Sequence, residues 1–310
     1  MVVFSLLHVV ITLIYSGGLL KWVGTPDFKD FIRNPLKNSA ILAPLVSLLM
    51  TMNLFIGPIR YFVSALSANF QSLFLPAFSI WFVLFMTALL LEVKLLKTSF
   101  EEGFNISEMH FGWLLRPFLL SMLSTVGTGI AAMSKDSSIA NAAAFLSMVS
   151  FTAGIFLFIV QLVILFKNYL TAHGLPESSS QPSFLIVIPN ITLFAISAFR
   201  FGHFLERHHS FHVGAYFYIV LGLAFAFEIW YLVFGLSVLR GYFKKSHFKE
   251  FYVTQWGLIC PLVAFAVLGS FVYNVVLQSP IIYGGILIAA GSAIAFYFEL
   301  MYKQFRYYRK

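Results

Sequence analysis

Residues 111–133 read FGWLLRPFLLSMLSTVGTGIAAM. A single charge, Arg116, stands in this stretch, and Pro117 follows it directly. A run of roughly 20 mostly apolar residues is the length that crosses a hydrocarbon layer as a helix. Eight further stretches fit the same template: 2–20, 38–57, 72–93, 139–166, 183–200, 212–239, 253–276 and 280–302. Composition points the same way. The 310 residues are 60% hydrophobic and 10% charged, whereas soluble domains are about 25% charged and 45–50% apolar. The reading is an all-α integral membrane protein with nine visible spanning helices.

Pro117 has three counterparts. Pro44, Pro117, Pro189 and Pro261 lie 73, 72 and 72 residues apart. Proline is frequent in membrane helices for other reasons, but a fixed spacing marks a repeat, and internal repeats are common where a substrate path forms between them. Each unit is a helical hairpin in which the first helix carries the proline. Proline in a spanning helix frees a carbonyl and predicts a kink at each of these four positions. The chain is thus one transmembrane domain over 1–310. Its repeats cover 1–37 (partial), 38–110, 111–182, 183–252 and 253–310, the last a partial hairpin with a basic tail. The first repeat lacks its proline helix, which predicts a helix upstream of Met1 or a natural nine-helix variant.

The formal charge of +8 is carried by short loops, so it reads as a topology signal and implies no nucleic-acid partner. Fifteen cations fall on one side: Lys21, Lys29, Arg33, Lys37, Lys94, Lys97, Lys167, Arg240, Lys244, Lys245, Lys249, Lys303, Arg306, Arg309 and Lys310. The other side holds Arg60, Lys135, Arg200 and Arg207. This asymmetry predicts a cytoplasmic C-terminus and, with nine spans, an outside Met1. A bacterial or archaeal inner membrane is the expected location. The first span has neither a basic leader nor a small-residue cleavage site, against a signal peptide.

The proline helices contain no Asp or Glu. Their polar groups include Ser47, Thr51, Asn53, Ser124, Thr125, Thr128, Asn190, Thr192 and Ser197. The embedded carboxylates Glu92, Glu228 and Glu299 lie on the alternate helices. A path lined by hydroxyls and cations favours anions. Arg116 reads either as an anion-attracting cation near the inner mouth or as a long side chain snorkelling to the interface. Glu228, mid-helix, reads as a proton-coupling carboxylate or as a structural partner of a neighbouring polar group. Glu92 and Glu299 are expected to reach the interface.

The stretch HFLERHHSFH places His203, His208, His209 and His212 in an outside loop. No thiol completes a metal set there, so a polar interfacial loop is expected and no metal. Cys260 is the only cysteine, which excludes an intramolecular disulfide. No phosphate-binding loop, dinucleotide fingerprint or Ser/His/Asp set is present, so neither an enzyme nor a cofactor is expected.

The runs NPLKNSAILAPLVSLLMTMNL (34–54) and FYVTQWGLICPLVAFAVL (251–268) resemble the proline helices of the tellurite-resistance/dicarboxylate transporter family. That family includes bacterial TehA, the yeast malate permease and the plant slow anion channel. The resemblance implies ten helices in five hairpins, arranged with quasi-fivefold symmetry around a central pore lined by the first helix of each hairpin. The upstream helix expected above would be the first of these. It also implies a small inorganic or organic anion as substrate, a lipid bilayer as setting and a homotrimer as assembly. A Phe on the last proline helix plugs the pore in studied members. Matching Trp256 and Pro261 to that motif puts Cys260 at the plug position, where it either lines the pore or is a small packing residue. Phe265, Leu258 or Phe118 would have to replace the plug. By repeat register, Ala43, Arg116 and Ile188 are equivalent to Cys260. Three functions stay open: a passive anion channel, a proton-coupled dicarboxylate or sulfite carrier of tellurite-resistance type, and a membrane subunit with no transport role.

Overall fold

The computed structural model describes residues 2–58, 62–171, 177–247 and 249–309; Arg60 and Lys310, counted above in the charge balance, lie outside the described residues. The α-helices are α1 (Val2–Trp22), α2 (Pro26–Arg33), α3 (Ala43–Ile56), α4 (Ser64–Ala68), α5 (Phe74–Glu102) and α6 (Leu115–Met133). They continue with α7 (Ser137–Thr171), α8 (Val187–His209), α9 (Gly214–Tyr242), α10 (Ile259–Val275) and α11 (Pro280–Tyr308). Among the described residues, eight helices are long and apolar enough to cross a membrane, or nine if α1 and α2 form one bent span. The protein is an all-helical, multi-pass membrane protein.

The connection after the first span holds a helix that the sequence reading left as loop. Thr25 caps α2 by accepting a hydrogen bond from the Phe28 amide at 3.3 Å, and Pro26 occupies the first turn. Asp27 stands in that turn and Arg33 in the last, the signs that complement the helix dipole. Trp22 packs edge-on against Phe28 and Phe31, with ring centres 5.1 and 5.0 Å apart. The chain therefore turns by 97° between α1 and α2.

The four prolines share one local geometry, and it differs from a mid-helix kink. Each proline helix begins with a 3-10 segment: 38–42, 111–114, 181–186 and 253–258. The α-helix starts immediately afterwards, and Pro44, Pro117, Pro189 and Pro261 sit at its second or third residue. There the missing N–H belongs to the first turn, where it has no intrahelical partner, and the fixed φ suits the helix start. The change from 3-10 to α winding lies at the joint before the proline. A 3-10 turn through the proline would need its N–H for the carbonyl three residues back. Asn190 Nδ2 donates to two such carbonyls, Leu114 O at 3.3 Å and Ile186 O at 2.9 Å.

The described chain divides into two compact units. The first comprises residues 1–108, 115–159 and 200–212, the second 109–114, 160–199 and 213–310. Within the first, α3 packs on α1, α5 and α6, and α5 packs on α6. Trp81 of α5 is fully buried and donates Nε1–H to Leu123 O of α6 at 3.0 Å. Polar pairs join α1 to α3: His8 with Thr51 at 2.7 Å and Thr12 with Ser47 at 2.9 Å. Within the second, α10 packs on α9 and α11. Phe184, Tyr231 and Phe234 stack together, and the Tyr231 hydroxyl donates to Phe184 O at 3.0 Å.

The proline helices are the more enclosed set. The α6 span is 94% buried and the α8 span 67%, against 22% for α5 and 11% for α11. Large apolar side chains such as Leu90, Ile159, Val233 and Ile288 cover the outside of the alternate helices, as lipid contact requires.

Helix ends differ from the expected spans where no breaker intervenes. α8 continues nine residues beyond Arg200, so His203, His208 and His209 belong to its last turns and not to a loop. His203 Nδ1 lies 3.3 Å from Glu206 one turn on. Among the described residues, no group of three His, Cys, Asp or Glu side chains converges on a metal position.

His110 lies outside the spans, half-buried, and its Nδ1 accepts the Gly112 amide hydrogen at 3.1 Å. Burial lowers its pKa below the ordinary 6.5. A folded state that binds its proton less readily than the unfolded chain is favoured above that value and loses stability as pH falls below it. The thermal midpoint is expected to drop on acidification below pH 6.5, and His110→Asn to flatten that slope; an unchanged slope refutes this role for His110.

Candidate functional site

Arg116 is fully buried. Its Nη2 donates to Asn38 Oδ1 at 3.0 Å and to Ser99 Oγ at 3.1 Å, and its Nη1 lies 3.8 Å from Glu92 Oε1. The guanidinium thus ties the 3-10 lead of α3, the C-terminal half of α5 and the start of α6. It neither snorkels nor opens onto water. Glu92, expected at the interface, is buried beside it because an unpaired guanidinium at this depth is costly.

Glu228 is also fully buried. Thr192 donates its hydroxyl to Oε1 at 2.5 Å, and among the described residues Oε2 has no hydrogen-bond partner. Thr192 Oγ1 also lies 3.2 Å from Ile188 O. Its proton can point to the carboxylate, or turn to that carbonyl and leave the oxygen free to accept from a protonated acid. Glu299 is half-buried, 2.6 Å from Lys303 Nζ and 3.3 Å from His247 Nε2.

The four positions equivalent by repeat register have unlike surroundings. Ala43 and Cys260 are exposed, whereas Arg116 and Ile188 are buried. Cys260 is exposed. On the same helix Leu258 is buried, and Phe265 is buried with its ring 5.0 Å from that of Phe225. Phe118 is buried as well.

Arg200 was read from the sequence as a cation at an outside helix end, because its span was drawn to stop there. In α8 it lies inside the helix, half-buried. Its Nη1 donates to Asn53 Oδ1 at 3.0 Å and Thr125 O at 2.7 Å, and among the described residues no carboxylate lies within ion-pair distance. A charged side chain followed by nine more residues without a Pro before the Ser210 turn was the available signal.

A model of the voltage-dependent anion channel family (SLAC1) matches residues 1–302. The chain belongs to that family. No curated protein and no solved structure matches it. Membership of the voltage-dependent anion channel family assigns the chain to anion transport across a membrane, and its helices supply the spans. For a voltage-dependent anion channel family member the arrangement of embedded charge is apt. Arg116 is paired with Glu92, while among the described residues Arg200 has no carboxylate within ion-pair distance.

Proposed function

We propose that the protein is a passive channel for small anions, built from proline-helix hairpins, with its C-terminus in the cytoplasm. What carries this reading is the state of Cys260. At the position where the family resemblance implies a plugging Phe, the side chain is small and exposed, and its bulky neighbours on the helix are held in packing. A small group there leaves room for an ion, and conduction follows pore dimension and lining charge.

The test is electrical. Reconstituted protein under a chloride gradient is expected to pass a current that reverses near the chloride equilibrium potential and is insensitive to pH. Cys260→Phe is expected to cut conductance by about tenfold or more, since a phenyl ring fills the space a thiol leaves. Unchanged conductance would remove Cys260 from the path.

A proton-coupled carrier for dicarboxylate or sulfite is the second reading. Glu228 favours it, because Thr192 can hydrogen-bond either protonation state and Oε2 is open to a proton. Absence of the chloride current, with proton-driven malate or sulfite uptake that Glu228→Gln abolishes, would decide for the carrier.

A further inference from the structure

We propose that Arg200 is the centre of an anion-binding site formed with Asn53 of α3 and with Thr125 and Gly129 of α6. The site takes a small planar oxyanion, such as nitrate or a carboxylate, in preference to a halide. All four residues belong to the first compact unit.

Three observations carry the site. The first is charge. Both partners of Arg200 Nη1 are neutral, a side-chain amide oxygen and a peptide carbonyl. A guanidinium inside a membrane helix is costly without a counter-charge, and the surroundings leave that role to a mobile anion.

The second is the orientation of the guanidinium. Both hydrogens of Nη1 are engaged, by Asn53 Oδ1 at 3.0 Å and Thr125 O at 2.7 Å. This clamps one end of the group and fixes its plane. Among the described residues Nη2 and Nε have no hydrogen-bond partner, and neither is a fully buried atom. Together they form the other edge of the group, two parallel N–H bonds at the spacing of two oxygens on one carbon or nitrogen. A planar oxyanion meets both bonds, whereas a halide offers one centre.

The third is space made by glycine. A Cβ on Gly129 would lie 3.0 Å from Arg200 Nη1 and 3.5 Å from its Cζ. The absent side chain lets the guanidinium lie against α6. At 1.5 Å per residue, Arg200 stands about 20 Å along α8 from its first residue, well inside the span. Neither the 72-residue period nor the resemblance singles out this position.

The site deepens the anion-channel reading and rests on it for its role in transport, but binding is measured separately. Purified full-length protein is titrated with sodium nitrate, formate or chloride while a bulky organic sulfonate holds the ionic strength, and the thermal midpoint is followed. Saturable stabilisation is expected, with nitrate and formate half-saturating at lower concentration than chloride. Arg200→Gln is expected to weaken nitrate binding by about tenfold or more, the value of one bidentate charged contact. Arg200→Lys keeps the charge without the fork and is expected to erase the preference for nitrate over chloride. Should Arg200→Gln fail to fold, Gly129→Ala displaces the guanidinium with its charge intact and is expected to weaken nitrate binding in the same direction. Unchanged nitrate affinity in folded Arg200→Gln or Gly129→Ala, a nitrate preference retained by Arg200→Lys, or no saturable nitrate binding by the wild type overturns the site. Anion current without Arg200-dependent binding would refute the site and leave the channel; Arg200-dependent binding without current would do the reverse.

Discussion

Arg116→Leu is expected to destabilise the protein by about 3–5 kcal/mol, because the substitution strands Glu92 in a buried position with its counter-charge removed. Asn38 Oδ1 and Ser99 Oγ lose a charged donor at the same time. The measurement is the thermal midpoint of the detergent-solubilised protein, followed by intrinsic fluorescence. Glu92→Leu alone is expected to destabilise too, by stranding the guanidinium. The double variant Glu92→Leu/Arg116→Leu is expected to recover much of the loss, since an apolar pair of similar volume removes both desolvation costs. Additive losses in the double variant would show that the two side chains act independently. The effect falls on the fold and leaves anion preference to other groups, since the pair is internally neutral and sealed.

Gly127→Val is expected to be comparably severe. A Cβ on Gly127 would stand 2.1 Å from Ser147 Oγ of α7 and 2.3 Å from Trp81 Cζ2 of α5. The indole cannot retreat freely, because its Nε1–H is bonded to Leu123 O of α6. Overpacking of a filled core costs about 1–3 kcal/mol and sometimes more, and two branches added to so close a contact put this case at or above the top of that range. Gly127→Ala is expected to show the same direction with a smaller loss. Trp81→Phe, which shortens the ring, is expected to offset part of the Gly127→Ala cost while giving up the indole hydrogen bond. A stable Gly127→Val protein with native fluorescence would refute the close approach of the three helices.

Spans were legible because lipid imposes a length, and the proline period falls on four like 3-10-to-α joints. The stretch 111–133 was delimited to the residue, its 3-10 lead included. Pair-specific information was not legible. Glu92 and Arg116 are 24 positions apart, and only the packing of α5 on α6 brings them together. Read separately, each resembled a residue near a helix end. Arg200 was misread for a local reason: hydropathy falls beyond it, although α8 continues on hydrogen bonds that hydropathy does not sense. The same insensitivity hid α2, whose capping signals at Thr25, Pro26 and Asp27 were present in the chain. The role of the prolines shifted by a single step, from bending a helix to starting one.

That shift has a mechanical meaning. A 3-10 segment advances about 120° and 2.0 Å per residue, and an α-helix about 100° and 1.5 Å. Each residue exchanged between the two forms at the joint would rotate everything after it by about 20° and slide it by about 0.5 Å. A proline next to the joint opposes that exchange, since an α-helix extended a full turn before it would drive the ring into a carbonyl. In all four proline helices the ring therefore acts as an index mark that sets the angular phase of the downstream residues. On α10 the phase set at the joint between Leu258 and Ile259 goes with an exposed Cys260 and a buried Phe265.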